Sequence, residues 1–225
     1  MKNNYQIIVC DFPWAFSDKL QMSDIKRGSN ANYSTLTIEQ IKSLPIDKLA
    51  DPEGAILAIW CPSSLIKEGL DIMDKYNFHF KQTYIWVKIK KKKNLFIDFN
   101  KWIKKQTLFD YKIIIENIIK TDINNILSFG LGRLFRQTHE VCLIGINNNK
   151  IYKQLNNKSQ RSVSFDENLK HSTKPEHLQN SLEIMFPGAK KIELFARRIK
   201  PGWTCLGNEV CNGEDIFYSI AKLIK

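Results

Sequence analysis

Five short apolar runs, at 5–10, 54–60, 82–89, 140–146 and 190–196, alternate along this chain with stretches of helical pattern. Such runs, bounded by polar punctuation, read as strands. The first, Tyr5-Gln6-Ile7-Ile8-Val9-Cys10, is apolar and β-branched, the mark of a buried strand. Between the runs, Thr37-Ile38-Glu39-Gln40 is a capping box that predicts a helix to about Leu44. Ser63 or Ser64 is placed to cap a second helix, with Leu65, Leu70, Ile72 and Met73 as its apolar positions. Thr173-Lys174-Pro175-Glu176 reads as a second capping box with Pro in the first turn, and Glu214 to about Ile224 as a closing helix. Strands alternating with helices predict an α/β fold with a mainly parallel sheet covered on both faces. With 225 residues, 43% of them hydrophobic, the chain can bury one sizeable core, read as one domain over 1–225.

Residues 89–128 break the rhythm and are read as a basic insertion at about 90–128. It opens on Lys88-Ile89-Lys90-Lys91-Lys92-Lys93 and continues through Phe96, Phe99, Trp102, Lys104 and Lys105. A lysine run alone is more often a solvated loop than a contact surface. Interleaved aromatic rings shift that balance, because nucleic-acid grooves mix cations with exposed rings. A second polar stretch, 147–170, reads as mobile loop. The formal charge of +11 favours an anionic partner, nucleic acid first and an anionic membrane surface second. No apolar run approaches the roughly 18 residues a bilayer span needs, and the start of the chain lacks a signal-peptide layout. A soluble, intracellular protein is expected.

Several chemistries find no support. Cys10, Cys61, Cys142, Cys205 and Cys211 form no C-x-x-C pair, and three lie in strand-like runs, so reduced core thiols are expected. His79, His139, His171 and His177 show no ligand spacing, so no metal is expected. Gly130-Leu131-Gly132 lacks a third glycine and a preceding strand, which argues against NAD or FAD. No Walker A sequence occurs.

The first strand empties into Asp11-Phe12-Pro13-Trp14, which puts a carboxylate, a rigid turn and an aromatic face at a strand's carboxyl end. Ligands bind at that edge of open α/β sheets. A carboxylate beside an aromatic platform suits a flat, amino-bearing ligand such as adenine. Taken alone, the tetrapeptide fits an ordinary Pro turn and a core Trp equally well. A C-terminal cluster joins it: Lys174-Pro175, then Ile192-Glu193-Leu194-Phe195-Ala196-Arg197, Pro201-Gly202-Trp203 and Gly207-Asn208-Glu209.

In this order, together with Tyr33, Trp60, Trp86-Val87-Lys88 and His139-Glu140, the chain resembles the N6-adenine methyltransferase family that includes the catalytic subunit of the eukaryotic mRNA adenosine methyltransferase. It looks closest to the short bacterial and phage branch. The likeness covers nearly everything except about 90–128 and 150–168. It implies a Rossmann-like fold that depends on S-adenosylmethionine (SAM), with permuted motif order: the catalytic motif first, the SAM strand late.

The resemblance also implies roles. Asp11, Phe12, Pro13 and Trp14 are the expected catalytic residues. Asp11, Lys174, Arg197, Asn208 and Glu209 are expected to hold SAM, Lys174 through the methionine carboxylate. Trp14, Tyr33 and Glu140 are expected to meet the substrate; from charge and not from the resemblance, Lys90, Lys91, Lys92, Lys93, Lys101, Lys104, Lys105, Arg133, Arg136 and Arg161 are expected to contact it through phosphates. Longer relatives carry an acidic segment before the catalytic strand that touches the SAM adenine; this chain starts too late for it, and that contact is expected from about Val210 to Asp215. Phe12 departs from the family's usual Pro, leaving the backbone carbonyl in place but altering the loop. The expected activity is methylation of adenine N6 in DNA, with RNA methylation or an inactive nucleic-acid-binding subunit as alternatives. A cytoplasmic location follows for a prokaryote or phage, a nuclear one for a eukaryote, and a homodimer or heterodimer is compatible.

Overall fold

The computed structural model describes residues 4–15, 35–91, 126–130, 134–167, 173–210 and 214–224. Strands β1 (Ile7–Cys10), β2 (Ile56–Cys61), β3 (His79–Ile89), β4 (His139–Ile146), β5 (Val163–Glu167), β6 (Lys191–Leu194) and β7 (Thr204–Leu206) form one sheet in the order β5-β3-β4-β2-β1-β6-β7. Helices α1 (Ile38–Lys42), α2 (Ile66–Lys75), α3 (His177–Met185) and α4 (Ile216–Ile224) connect or follow them. The expected α/β architecture stands. Parallel pairs dominate (β1 with β2 and with β6, β6 with β7, β3 with β5), whereas β4 runs antiparallel to β2. Periodicity reports burial, not direction, so this reversal left no mark in the pattern. By contacts the chain divides into two compact units, Met1–Tyr84 with Val141–Ser162 and Gln179–Lys225, and Ile85–Glu140 with Val163–Leu178.

In the first unit, β1 and β2 are buried along their whole length. Ile7, Ile8, Val9 and Cys10 show no exposed surface. Burying each such aliphatic chain is worth about 1.5–3 kcal/mol, and a strand buried on both faces has no solvent side to alternate towards. α1 starts at the capping box its spacing predicts, with the Gln40 amide donating to Thr37 Oγ1 (3.2 Å) and the Thr37 amide to Gln40 Oε1 (2.9 Å). α2 differs from expectation. Ser63 and Ser64 lie in a 3₁₀ turn, Ser63–Leu65, and give no side-chain cap. Instead Gly69, Ile72 and Met73 bury its inner face. α3 begins at His177, later than the motif at 173 suggests. At α4, Asp215 Oδ1 accepts the Tyr218 amide (3.1 Å), so the cap lies one residue after Glu214.

The described part of the polar stretch, 147–167, is ordered where a mobile loop was expected. It holds a 3₁₀ helix, Asn149–Gln154, and strand β5. Ile151 anchors the helix at 0% exposure, its backbone so close to Gly54 that a Cβ there would overlap it; Gly54 also sits at φ +147°, where L residues are strained. Asn147 supports the turn by accepting the Ala55 amide and donating to the Asp51 carbonyl. A single deeply buried Ile in a polar context carries little periodic signal.

In the second unit, residues 85–89 of β3 pair in parallel with 163–167 of β5, and the Trp86 indole donates to the Asp166 carbonyl (3.1 Å). Past β3 the Lys90 amide donates to the Ile126 carbonyl, and the Ser128 amide to that of Lys88, so the chain that leaves at 90 rejoins the strand end at 126–128. Lys92, Lys93, Lys101, Lys104 and Lys105 lie outside the described residues. Among the described residues no helix is long and apolar enough to cross a membrane.

Tyr76, at the end of α2, ties the two first helices together through a buried hydroxyl that donates to the Ile41 carbonyl. Burial, helped by the charges of Cys10 and Asp47, pushes that hydroxyl far above its ordinary pKa. Tyr76→Phe removes this buried bond while the Ile41 carbonyl keeps the Leu44 amide (3.0 Å), costing about 0.5–1.5 kcal/mol. Thermal melts should fall by several degrees at constant cooperativity.

Candidate active site

Asp11 stands where β1 ends. Its amide donates to the Leu194 carbonyl (3.3 Å), so the carboxylate-bearing residue leaves the sheet beside the end of β6. The parallel register sets Cys10 opposite both Ile59 and Leu194, which brings the chain ends after β1, β2 and β6 to one edge. Residues 11–15 are then held from both sides. The Leu36 amide donates to the Pro13 carbonyl (2.8 Å), and the Ala15 amide to that of Leu36 (3.1 Å). Trp14 Nε1 donates to the Trp60 carbonyl at 3.0 Å, and the indole is 5% exposed. The Phe12 carbonyl accepts the Trp14 amide (2.9 Å) and keeps a second lone pair for another donor.

Phe12 explains its own presence. Its ring is buried, edge-on to Trp14 (centroids 5.6 Å, 88°) and to Phe195 (5.4 Å, 67°). Each such pair adds about 0.5–1.5 kcal/mol beyond burial. The side chain is thus a core anchor. Its partner Phe195 adopts φ +63°, a left-handed backbone that costs a non-glycine residue about 1–3 kcal/mol and needs the surrounding structure to hold it. This bend lets the Ala196 amide reach the Leu206 carbonyl (2.9 Å). Gly207 then lies against Ala196, whose backbone O and N a Cβ would overlap. Sequence reasoning missed the role of Phe195, because nothing in its neighbours announces a left-handed turn.

Immediately after these turns, Arg197 Nη1 donates to Glu209 Oε1 at 3.1 Å, with Asn208 exposed beside them. Three residues expected to share a ligand therefore share one edge of the sheet. Cys10, below Asp11, is a buried thiol whose pKa is raised well above normal by burial and by the charges of Glu193 and Asp11.

The second unit holds its own charge cluster. Glu140, at the start of β4, binds Lys88 Nζ through Oε1 (2.7 Å) and Lys174 Nζ through Oε2 (3.3 Å). Lys88 also lies 5.2 Å from the Trp86 ring centroid. One carboxylate thus bridges two ammonium groups, each bond charge-assisted. Burial alone would raise the Glu140 pKa, but the charges and hydrogen bonds of Lys174 and Lys88 outweigh it and hold the carboxyl below its ordinary range. Lys174 precedes α3 instead of lying in its first turn.

Elsewhere, Lys90 is half-buried and Lys91 exposed. Arg136 sets its guanidinium 5.8 Å from the Phe129 ring, and Arg161 donates to the Ser159 carbonyl in its own loop. Tyr33, Arg133 and Cys211 lie outside the described residues.

Comparison with known proteins gives a consistent picture. The chain matches the MT-A70 family model over residues 5–111 and 108–209. Human N(6)-adenine-specific methyltransferase METTL4 is 27% identical over 231 residues, covering 98% of this chain and 40% of METTL4. The human N(6)-adenosine-methyltransferase catalytic subunit METTL3 is 23% identical over 208 residues, covering 92% of this chain and 28% of METTL3. A fruit-fly (Drosophila melanogaster) N(6)-adenosine-methyltransferase MT-A70-like protein is likewise 23% identical over 208 residues, 92% of this chain and 27% of that protein. The chain spans two-fifths or less of each of these relatives.

The Glu140 cluster makes a pH prediction. A carboxyl held below its usual value of 4.5 contributes stability that is complete above that value and disappears as pH falls through the lower folded one. Glu140→Gln should therefore melt below the native protein at pH 7, and the gap should close as pH falls below 4.5 through the lower folded value.

Proposed function

This chain belongs to the MT-A70 family, and from that membership and the rim geometry we propose that it transfers a methyl group from SAM to N6 of adenine in DNA. The observation that carries the reading is Asp11 at the carboxyl end of β1, on a loop pinned by Trp60 and Leu36 beside the turns that carry Arg197 and Glu209. The family's SAM dependence supports the cofactor, and the residues present fit it. The rim offers a cation and a carboxylate for ribose hydroxyls. Arg197, Asn208 and Glu209 would hold the nucleoside part, with Asp11 near the reacting methyl. When bound, SAM supplies an electrophilic methyl on a sulfonium.

The chain's own task is to make a poor nucleophile attack. The exocyclic amine of adenine delocalises its lone pair into the ring. Asp11 accepts one of its hydrogens and the Phe12 carbonyl the other, which returns electron density to nitrogen and fixes the direction of the lone pair. Charge-assisted bonds of this kind contribute about 1.5–3 kcal/mol each, and alignment of the two reactants supplies much of the rest. Trp14, buried and locked by the Trp60 carbonyl, braces the loop that carries Asp11. In a duplex the adenine must first leave the stack, at a cost of a few kcal/mol. Lys90, Lys91 and Arg136 would meet phosphates, giving binding that weakens with salt.

RNA is the second reading, favoured by the N(6)-adenosine names of several relatives. Labelled methyl incorporation into matched DNA and RNA oligonucleotides separates the two. The native protein should bind SAM in calorimetry. Asp11→Ala should cut methyl transfer by on the order of a hundredfold or more, and Arg197→Ala should weaken SAM binding by roughly tenfold. A native protein that binds no SAM, or an Asp11→Ala variant that transfers methyl unimpaired, would sink the reading.

A further inference from the structure

Within the second unit, Gly130 and Gln137 bridge antiparallel, the Gly130 amide donating to the Gln137 carbonyl (2.9 Å) and the Gln137 amide returning to Gly130 (3.2 Å). Beside this clamp Leu134 is 92% exposed and Phe135 86%, the highest values among the exposed large hydrophobic residues described; Phe129 is 59% exposed. Adjacent large apolar side chains held out in water mark a contact surface more often than scattered single ones do. The surroundings say what kind of contact. From residue 123 to residue 139 there is no Asp or Glu, while Arg133 and Arg136 are present. Arg136 already lies over the Phe129 ring. Cations and rings without acids suit a polyanion that has flat apolar faces inside it.

We infer that Leu134 and Phe135 form a wedge that enters the base stack of duplex DNA, with Arg136 on a neighbouring phosphate. The inference rests on the proposed reading that DNA is the substrate. Apolar side chains driven between base steps unstack them, and an enzyme that acts on an extruded base needs that work done. Wedge residues must project from the surface and be clamped at the base of the projection, as the Gly130–Gln137 bridge clamps these.

Duplex oligonucleotides carrying 2-aminopurine at successive positions report unstacking as a rise in fluorescence. The native protein should raise the signal at one position or a neighbouring pair. The double variant Leu134→Ser/Phe135→Ser should abolish the rise and weaken duplex binding roughly tenfold, with an unchanged melting temperature. Ile184→Ser, at an apolar residue of the other unit that is 50% exposed, should change neither. A double variant that unstacks like the native protein overturns the inference. So does one that turns a dimer into a monomer, by sedimentation, with duplex affinity intact; the tip would then be a protein–protein surface. Methyl incorporation into the same duplexes separates the two readings: unstacking without methylation counts against the proposed activity, and methylation without unstacking against the wedge.

Discussion

The parallel register of β1 between β2 and β6 is the constraint on which the candidate site depends. Ile7 to Cys10 align residue by residue with Ile56 to Ile59 on one side and Lys191 to Leu194 on the other. All four β1 side chains are fully buried. A one-residue slip would exchange the faces of a strand whose every side chain is packed, so register is set by the core on both sides. Parallel strands end at a common edge, and that geometry gathers the Asp11–Trp14 loop, the Phe195 turn and the Gly207–Glu209 turn there. The chemistry of the rim is therefore positioned by aliphatic packing several residues away.

The departure at position 12 is resolved by the same logic. A ring in place of the smaller Pro would disturb an exposed loop, but here it fills the space between Trp14 and Phe195. That contact links the loop after β1 to the turn after β6 and helps maintain the left-handed backbone of Phe195. The buried Phe12 side chain packs the loop without removing the backbone carbonyl on which the proposed function relies.

Much of this was readable in the order of residues. The strand runs and the Thr37–Gln40 capping box report local physics: hydrophobic period and side-chain capping. Both carry into the fold nearly unchanged. The common sheet edge of Asp11, Arg197 and Glu209 was legible because short motifs at strand ends keep their spacing. The failures share one cause. The antiparallel direction of β4, strand β5 and the burial of Ile151 all depend on partners distant in sequence, and a polar neighbourhood gives no local sign of them. Lys174 was read as a residue with one role, whereas it also pairs with Glu140 34 positions away.

Taken by itself, the sequence determined the α/β alternation, the positive charge and the motifs at the strand ends, because composition and short-range periodicity encode burial and capping directly. Tertiary structure alone decided which carbonyl locks Trp14, where Phe12 points, why Gly207 must lack a side chain and how Glu140 shares its carboxylate between two lysines. Those outcomes arise from contacts between atoms tens of residues apart, and no local pattern can specify a distance that only the packed chain creates.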